Sequence, residues 1–145
     1  MSRRGSRPSE LVSPASCLRC RARRGRIFCN FARRALPSFD KIASLRRVPD
    51  GESLLVEGLP VSGVWVVCSG QVRVISFEGR KRGSPAIQFL GRGHAIGLAE
   101  ALRSVPARAN AVTLGECELR FIPSPLLRRF LDRDIDACLW AAHFV

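Results

Sequence analysis

Residues 49–75 read PDGESLLVEGLPVSGVWVVCSGQVRVI, and this stretch decides the fold class. Its short apolar runs are separated by turn residues, among them Gly51, Gly58 and Gly70. The run QVRVISF at 71–77 alternates apolar and polar side chains, as a strand with one face in solvent does. Strands at this spacing, with glycine-containing turns between them, are typical of an all-β sandwich or barrel.

The same pattern continues as far as Ile122. Further strands are predicted for AIQFL (86–90), NAVTL (110–114) and CELRFIP (117–123), and one short helix for AIGLAEALRS (95–104). Because glycine tolerates backbone conformations that tight turns require, we expect each glycine-containing segment to end one strand and begin the next. The sequence therefore predicts a mainly β protein.

Helical periodicity flanks this region on both sides. Residues 32–47 carry apolar side chains mostly at helical spacing and predict an amphipathic helix, with Pro37 near its start, where proline is tolerated. Two more helices are predicted at 124–131 and from Ile135 to the end. The apolar stripe of the last helix consists of Ile135, Cys138, Leu139 and Ala142.

The composition indicates one domain without a membrane segment. The chain has 145 residues, of which 46% are hydrophobic, so it is long and apolar enough to bury a core. No apolar run is long enough to span a bilayer. The basic N-terminus is not followed by the apolar segment of a secretory signal, so we expect a cytoplasmic protein with no membrane partner.

The N-terminal part differs from the rest in composition. Residues 1–16 contain Ser, Pro, Arg and Gly without periodicity and are predicted to be a disordered basic arm, and residues 17–31 form a Cys-rich segment. The net charge is +12, and only Lys41 and Lys81 of the 24 basic residues are lysines. This charge is typical of nucleic-acid binding, or equally of a genome rich in arginine codons, and the even spread of the arginines leaves both interpretations open.

Three linked motifs resemble the cyclic-nucleotide-binding-like domain of the Crp/Fnr transcription regulators. They are the stretch 49–75, with its Pro-x-Gly and Ser-Gly, then GRGHAIGL (91–98), and then CELRFIPSPLLRRFL (117–131), in which Ile-Pro leads from a strand into a helix. The resemblance implies that residues 32–131 form a double-stranded β-helix, or jelly roll, with flanking helices. It also implies that residues 132–145 are the start of a truncated dimerisation helix.

The same resemblance, which extends over residues 17–145, implies a signal-receiving domain and not an enzyme. Full-length members are homodimers that bind DNA through a helix-turn-helix, which this chain lacks. We therefore expect no sequence-specific DNA binding by this polypeptide alone, and only weak, salt-sensitive attraction through its arginines. No nucleophile–base set, metalloprotease helix or phosphate-binding glycine loop occurs in the sequence, which also argues against an enzyme.

The Cys-rich segment is similar to the Fnr branch of this family, whose members hold an iron–sulfur cluster near the N-terminus. A cluster needs thiolates that converge on one point. The resemblance implies that Cys17, Cys20 and Cys29 are metal ligands, and it makes Cys117 the candidate for the fourth because that residue lies near the end of the roll. Zinc is the alternative, since four thiolates also satisfy a tetrahedral zinc ion.

Two features depart from that branch. The spacing Cys-x2-Cys-x8-Cys has a longer second gap, and alignment on Ile122-Pro123 places the usual fourth-ligand position at Arg120. A subgroup that begins Cys-x2-Cys…Phe-Cys-Asn is more similar, and this chain matches it with Phe28, Cys29 and Asn30. Members of that subgroup tend to carry cysteines at the positions of Cys68, Cys117 and Cys138, but what these cysteines bind is left open by the resemblance.

Each cysteine also has a structural interpretation. Unligated thiols in an exposed basic loop would have lowered pKa values and would oxidise readily, which makes free thiols the weaker explanation for the N-terminal three. Cys68 follows an apolar run and is expected to pack in the core. Cys117 is divided between ligand and core, and Cys138 is expected to serve packing or a dimer contact.

The family's nucleotide pocket is altered in this chain. The residue that should hold the ribose is replaced by Leu98, directly after Gly97, and the phosphate-binding arginine is replaced by Ala107, with Arg108 one position late. We therefore expect no cyclic nucleotide in the usual binding mode. Gly97 and Arg108 remain weak candidates for ligand contacts if the loop is shifted.

Two functional hypotheses follow. The first is a redox- or gas-sensing regulator domain, in which loss of a cluster shifts the packing against the dimer helix and so changes dimerisation. The second is a small-ligand-binding or purely structural β-roll whose cysteines are incidental or hold zinc.

Overall fold

A computed structural model describes residues 13–77 and 83–145. Residues 1–12 of the predicted disordered arm at 1–16 lie outside the described residues. The strands are β1 (Ser44–Val48), β2 (Ser53–Leu55), β3 (Gly63–Ser76), β4 (Ala86–Leu90), β5 (Ala95–Ile96) and β6 (Asn110–Pro123). The helices are α1 (Leu36–Ile42), α2 (Leu98–Arg103), α3 (Ser124–Arg133) and α4 (Ile135–Ala142), and a single 3-10 turn covers Cys17–Arg19.

Two long strands form the centre of the sheet. β3 and β6 pair antiparallel along their whole length, from Gly63 opposite Pro123 to Ile75 opposite Asn110. β1 and β2 add to β6, and β4 and β5 add to β3, always antiparallel. The predicted antiparallel β-roll with flanking helices is confirmed.

The strand breaks predicted at glycines inside β3 and β6 are wrong, because both strands continue through them. Val67 pairs with Leu119 and Ser69 with Glu118, so Cys68 is an extra residue on β3 with no partner opposite it. This is a β-bulge, which locally twists a strand and can redirect a side chain.

A glycine completes this irregularity two residues later. Gly70 has φ of +92°, and a Cβ added there would lie 2.6 Å from the sulfur of Cys117. Gly70 therefore allows the two long strands to cross closely, and it does not end β3.

The predicted helix at 32–47 is too long at both ends. α1 covers only Leu36–Ile42, with Pro37 in its first turn, as expected. Ser44 then starts β1, whose five residues pair with Phe121 back to Cys117. The strand prevails over local helical periodicity because pairing with β6 satisfies its backbone groups at the edge of the sheet.

The hydrophobic core has two parts. One lies inside the roll and contains Val67, Val72, Cys117 and Leu119. The other lies between the roll and the helices, where the rings of Phe28, Phe31, Phe39 and Phe130 meet with centroids 5.0–6.3 Å apart. Since Phe28 and Phe31 are buried, the Cys-rich segment is part of the domain core.

The two C-terminal helices form as predicted, with a boundary at Asp134, whose side chain accepts a hydrogen bond from the backbone N–H of Ala137. α4 packs through Ala137 and Ala141. The predicted apolar stripe faces away from the domain, because Ile135 is 74% and Leu139 59% exposed. Within the described part of the chain, no helix combines the length and the apolar character that a membrane span requires.

Candidate functional site

Four cysteines face one cavity between the Cys-rich segment and the bulged part of β3. The cavity has a volume of about 380 Å³. Its cysteines are Cys17, Cys20, Cys29 and Cys68. Its basic residues are Arg21, Arg23, Arg92 and Arg120. The sequence predicted the first three cysteines as a group, and the structure brings these three together.

A tight turn places Cys17 and Cys20 at the cavity. The side chain of Ser16 caps this 3-10 turn, and the N–H of Cys20 donates to the carbonyl of Cys17 at 3.2 Å. The backbone N–H of Cys17 donates to Asp40 Oδ1 at 2.7 Å, which attaches the turn to α1. The two cysteines therefore approach the cavity from one short, anchored segment.

Cys29 is positioned by its neighbour Phe28. The N–H of Phe28 donates to the carbonyl of Gly93 at 3.1 Å. Gly93 has φ of +86°, and a Cβ there would lie 2.5 Å from Cγ2 of Ile27. Only glycine therefore allows the segment around Cys29 to approach the turn between β4 and β5 this closely.

Cys68 enters the cavity from the roll itself. It is the bulged residue of β3, and Arg92 Nε donates to its carbonyl oxygen at 3.2 Å. The expectation that Cys68 packs in the core is wrong, because the bulge exposes it to the cavity where a regular strand residue would pair with β6. The sequence offered little indication of this, because Cys68 directly follows the buried residues Val64, Val66 and Val67.

Arg120 forms the floor of the site on β6. The side chain is only 4% exposed, and its guanidinium donates to the carbonyls of Ala43 at 2.9 Å, Pro14 at 2.9 Å and Ala15 at 3.1 Å. It also lies 3.8 Å from Asp40. Arg120 thus fastens residues 14–15 to the roll and supplies a buried positive charge at the cavity. Residues 13–16, expected to be part of a disordered arm, are held in place instead.

Burial keeps the thiols of Cys17, Cys29 and Cys68 neutral near neutral pH. Burial is the main cause that raises the pKa of Cys17 to about 12 and that of Cys29 to about 11, and it also raises the pKa of Cys68. The neighbouring sulfurs raise these pKa values further, whereas Arg120 lowers those of Cys17 and Cys68 and Arg23 lowers that of Cys29. Free thiols were set aside because exposed thiols beside arginines would have lowered pKa values, and this reason does not apply to Cys17, Cys29 and Cys68, because burial outweighs the arginines.

The four cysteines of the cavity are not arranged around a single point. Among the described residues, no group of three or more His, Cys, Asp or Glu side chains is arranged to hold a metal ion. A zinc ion with bonds of about 2.3 Å would require the sulfurs to lie roughly 4 Å from one another. Cys17, Cys20, Cys29 and Cys68 line one cavity without being arranged in this way.

The charge of the cavity wall also fits an anionic thiolate group. The Nε of Arg23 is buried without a hydrogen-bond partner among the described residues. An orphaned buried donor is costly, so its presence beside four sulfurs indicates an acceptor to be bound there. The four thiols are the donor type that an iron–sulfur cluster takes, and the arginines of the cavity would offset its negative charge.

Cys117 lies elsewhere. It is fully buried in the core of the roll, packs against Gly70, and donates from its sulfur to the carbonyl of Gln71 at 3.2 Å. The structure therefore does not bring the predicted fourth ligand to the other three, because β6 directs this side chain into the roll. Cys138 is exposed on α4.

A second cavity, of about 400 Å³, lies on the opposite part of the roll. It is lined by Gly97 and Arg108, the two weak ligand candidates, together with Glu100. Leu98 is buried in the core between the roll and the helices. The structure thus places Gly97, Arg108 and Glu100 at one cavity.

The fold identifies the family. Residues 45–134, more than half of the chain, match the cyclic nucleotide-binding domain. This chain belongs to the cyclic nucleotide-binding domain family. No curated protein matches the chain in sequence.

Solved structures show the same fold. The catabolite activator protein of Thermus thermophilus is 20% identical with a TM-score of 0.70, over 82% of this chain and 55% of that one. A protein of Ruegeria pomeroyi DSS-3, named for cyclic nucleotide binding, is 28% identical with a TM-score of 0.58, over 77% and 51%. The sensor domain of the regulator DNR from Pseudomonas aeruginosa is 16% identical with a TM-score of 0.63, over 79% and 77%.

These likenesses show the cyclic nucleotide-binding fold and confirm the predicted jelly roll. This cyclic nucleotide-binding domain spans about half the length of the first two solved proteins. Of the cysteines that line the cavity, Cys17, Cys20 and Cys29 lie before the matched region, and Cys68 lies within it.

Proposed function

We propose that this chain is the sensory domain of a Crp/Fnr-type transcription regulator that reads a redox or gas signal through an iron–sulfur cluster in the cysteine cavity. The observation that carries the proposal is the meeting of four cysteines, from two separate parts of the chain, at one arginine-walled cavity. In this role the chain regulates DNA-templated transcription when it is joined to a DNA-binding domain.

In this proposal the cysteines bind the cluster and the arginines compensate its charge. A bound cluster supplies a group that reacts with oxidants or gases, and its thiolate ligands make it anionic. Cys17, Cys20 and Cys29 would hold it, and each would release its thiol proton to solvent. Arg23 and Arg120 compensate the negative charge in a partly buried place where it would otherwise be unfavourable.

The signal leaves the site through the segment that carries Cys29. Phe28 contacts α4 directly, and α4 presents Ile135 and Leu139 to solvent. We propose that this exposed face of α4 joins two copies in a homodimer. A change at the cavity would then shift α4 and so alter how this face contacts the second copy. DNA is a partner only through the domain joined to this one.

Anaerobic purification tests the proposal. We expect a brown protein containing iron and acid-labile sulfide, whereas Cys17→Ser and Cys29→Ser lose both. Cys138→Ser, on the exposed face of α4, is the matched control and keeps them. A colourless wild-type protein overturns the proposal, and stoichiometric zinc without sulfide replaces the redox function with a structural metal.

A second candidate function is binding of a cyclic-nucleotide-type small ligand at the other cavity. Arg108 and Glu100 both line it. The arginine could pair with an anionic group of a ligand, and the glutamate could accept a hydrogen bond from a hydroxyl group of the same ligand. Calorimetric titration with cyclic AMP, compared between wild type and Arg108→Ala, tests this. Heat that disappears in the variant supports it, and the absence of heat in wild type rejects it.

A further inference from the structure

We propose that Cys68 is the fourth thiolate ligand of the cysteine cavity, in place of Cys117. This assignment rests on the proposed function, because it concerns which sulfur completes the set that Cys17, Cys20 and Cys29 begin.

The β-bulge is the first argument. On a regular antiparallel strand Cys68 would have a partner on β6, but β3 inserts it between Val67 and Ser69, which pair with the consecutive residues Leu119 and Glu118. Bulges recur where a strand redirects a side chain toward a site. Here the redirected residue lies at the cavity wall with the three N-terminal cysteines.

The position of Cys117 is the second argument. Cys117 is fully buried in the core of the roll, where its sulfur donates to the carbonyl of Gln71 at 3.2 Å, and it is not among the residues that line the cysteine cavity. Cys68 lines that cavity together with Cys17, Cys20 and Cys29.

The third argument is the neighbouring positive charge. Arg120 lines the same cavity as Cys68 and is 4% exposed, so its guanidinium is a buried positive charge at the cavity wall. As a ligand, Cys68 would give up its thiol proton to solvent, and Arg120 would offset the charge of the thiolate that remains.

Cys68→Ala and Cys117→Ala, prepared anaerobically beside wild type, test the assignment. Ferrous iron and sulfide are supplied to each full-length protein, and bound iron, sulfide and visible absorption are measured per folded protein. We expect Cys68→Ala to lose at least about tenfold in bound cluster, because loss of a supporting contact to a ligand alone costs about 10–100-fold. Cys117→Ala should keep the wild-type content, although it leaves a small cavity in the core.

Alkylation mapping by mass spectrometry gives a second readout. In the loaded wild type, Cys68 should be protected together with Cys17, and releasing the metal with a chelator should remove that protection. Circular dichroism confirms that each variant is folded. A folded Cys68→Ala that keeps its cluster overturns this assignment and leaves the proposed function intact. A wild type that holds neither iron nor zinc overturns both.

Discussion

The indole Nε1 of Trp140 donates a hydrogen bond to the carbonyl oxygen of Phe28 at 3.1 Å. This bond connects α4 to the residue immediately before Cys29. The ring of Phe28 also contacts those of Phe144, at 6.0 Å between centroids, and Phe39 of α1. A displacement of the Cys29 segment therefore has a direct mechanical connection to the C-terminal helix.

Trp140→Phe removes the donor and keeps an aromatic ring. We expect the free energy of unfolding to fall by about 1 kcal/mol, because the Phe28 carbonyl loses a partly buried partner. Hydrogen exchange of α4 amides should become faster, while bound iron stays at the wild-type level. Trp65→Phe, at the other tryptophan, is the matched control, since its ring packs on Phe121 away from α4. Equal exchange of α4 in both variants would show that the bond does not fasten the helix.

Gly93→Ala should displace the segment around Cys29. The new methyl group would meet Ile27 at 2.5 Å and would hold a non-glycine residue at φ of +86°. We expect about 1–3 kcal/mol of lost stability and faster alkylation of Cys29 in the metal-free protein. Gly58→Ala has a similar φ of +84° but meets nothing within 4 Å, so it isolates the backbone cost. If the two variants behave alike, the close approach of Ile27 has no effect on the site.

Alkylation of the metal-free protein should depend on pH in the order set by burial. At pH 7–8 Cys138 reacts first because it is exposed, whereas Cys17 and Cys29 stay mostly protonated below their pKa values of about 12 and about 11. Their reaction rates should rise as the pH approaches those values, since the thiolate is the nucleophile. Iodoacetamide labelling followed by mass spectrometry measures this, and rates equal to that of Cys138 at pH 7 would contradict it.

The same raised pKa values affect stability in alkaline solution. The folded protein holds these protons more tightly than the unfolded chain, whose thiols have the ordinary pKa of 9.0. The stabilising contribution is complete below pH 9 and is lost as the pH rises toward 11 and 12. Urea unfolding of the metal-free protein at pH 8 and pH 10 should therefore show lower stability at pH 10, and Cys17→Ser should reduce the difference.

Arg120→Lys should release the start of the described chain. A lysine keeps the charge but cannot reach the carbonyls of Pro14, Ala15 and Ala43 together, because it lacks the forked guanidinium. We expect about 1–3 kcal/mol of lost stability and faster proteolytic cleavage before Cys17. Arg128→Lys is the control, since Arg128 also donates to two carbonyls, on α2, remote from the cysteines. Unchanged cleavage in Arg120→Lys would remove Arg120 from this role.

Much of the fold followed from local patterns. Alternation in QVRVISF predicted strand structure within β3, and the periodicity after Ser124 predicted two helices, which α3 and α4 confirm. Local patterns failed where long-range pairing competes with them. Residues 44–48 have helical spacing but form β1, because β6 offers them backbone partners from a distant part of the chain.

The grouping of Cys17, Cys20 and Cys29 could be anticipated because these residues lie within one short segment, where spacing limits how far apart the sulfurs can be. Whether Cys68 or Cys117 faces them depends on a one-residue bulge in β3, and side-chain direction along a strand reverses with each residue. The pKa values of the thiols likewise depend on burial by distant segments, which outweighs the nearby arginines. Local spacing thus specified strands and the three-cysteine segment. That Cys68 lies opposite this segment was decided only by the pairing of β3 with β6, which are distant in sequence and whose register shifts at Cys68.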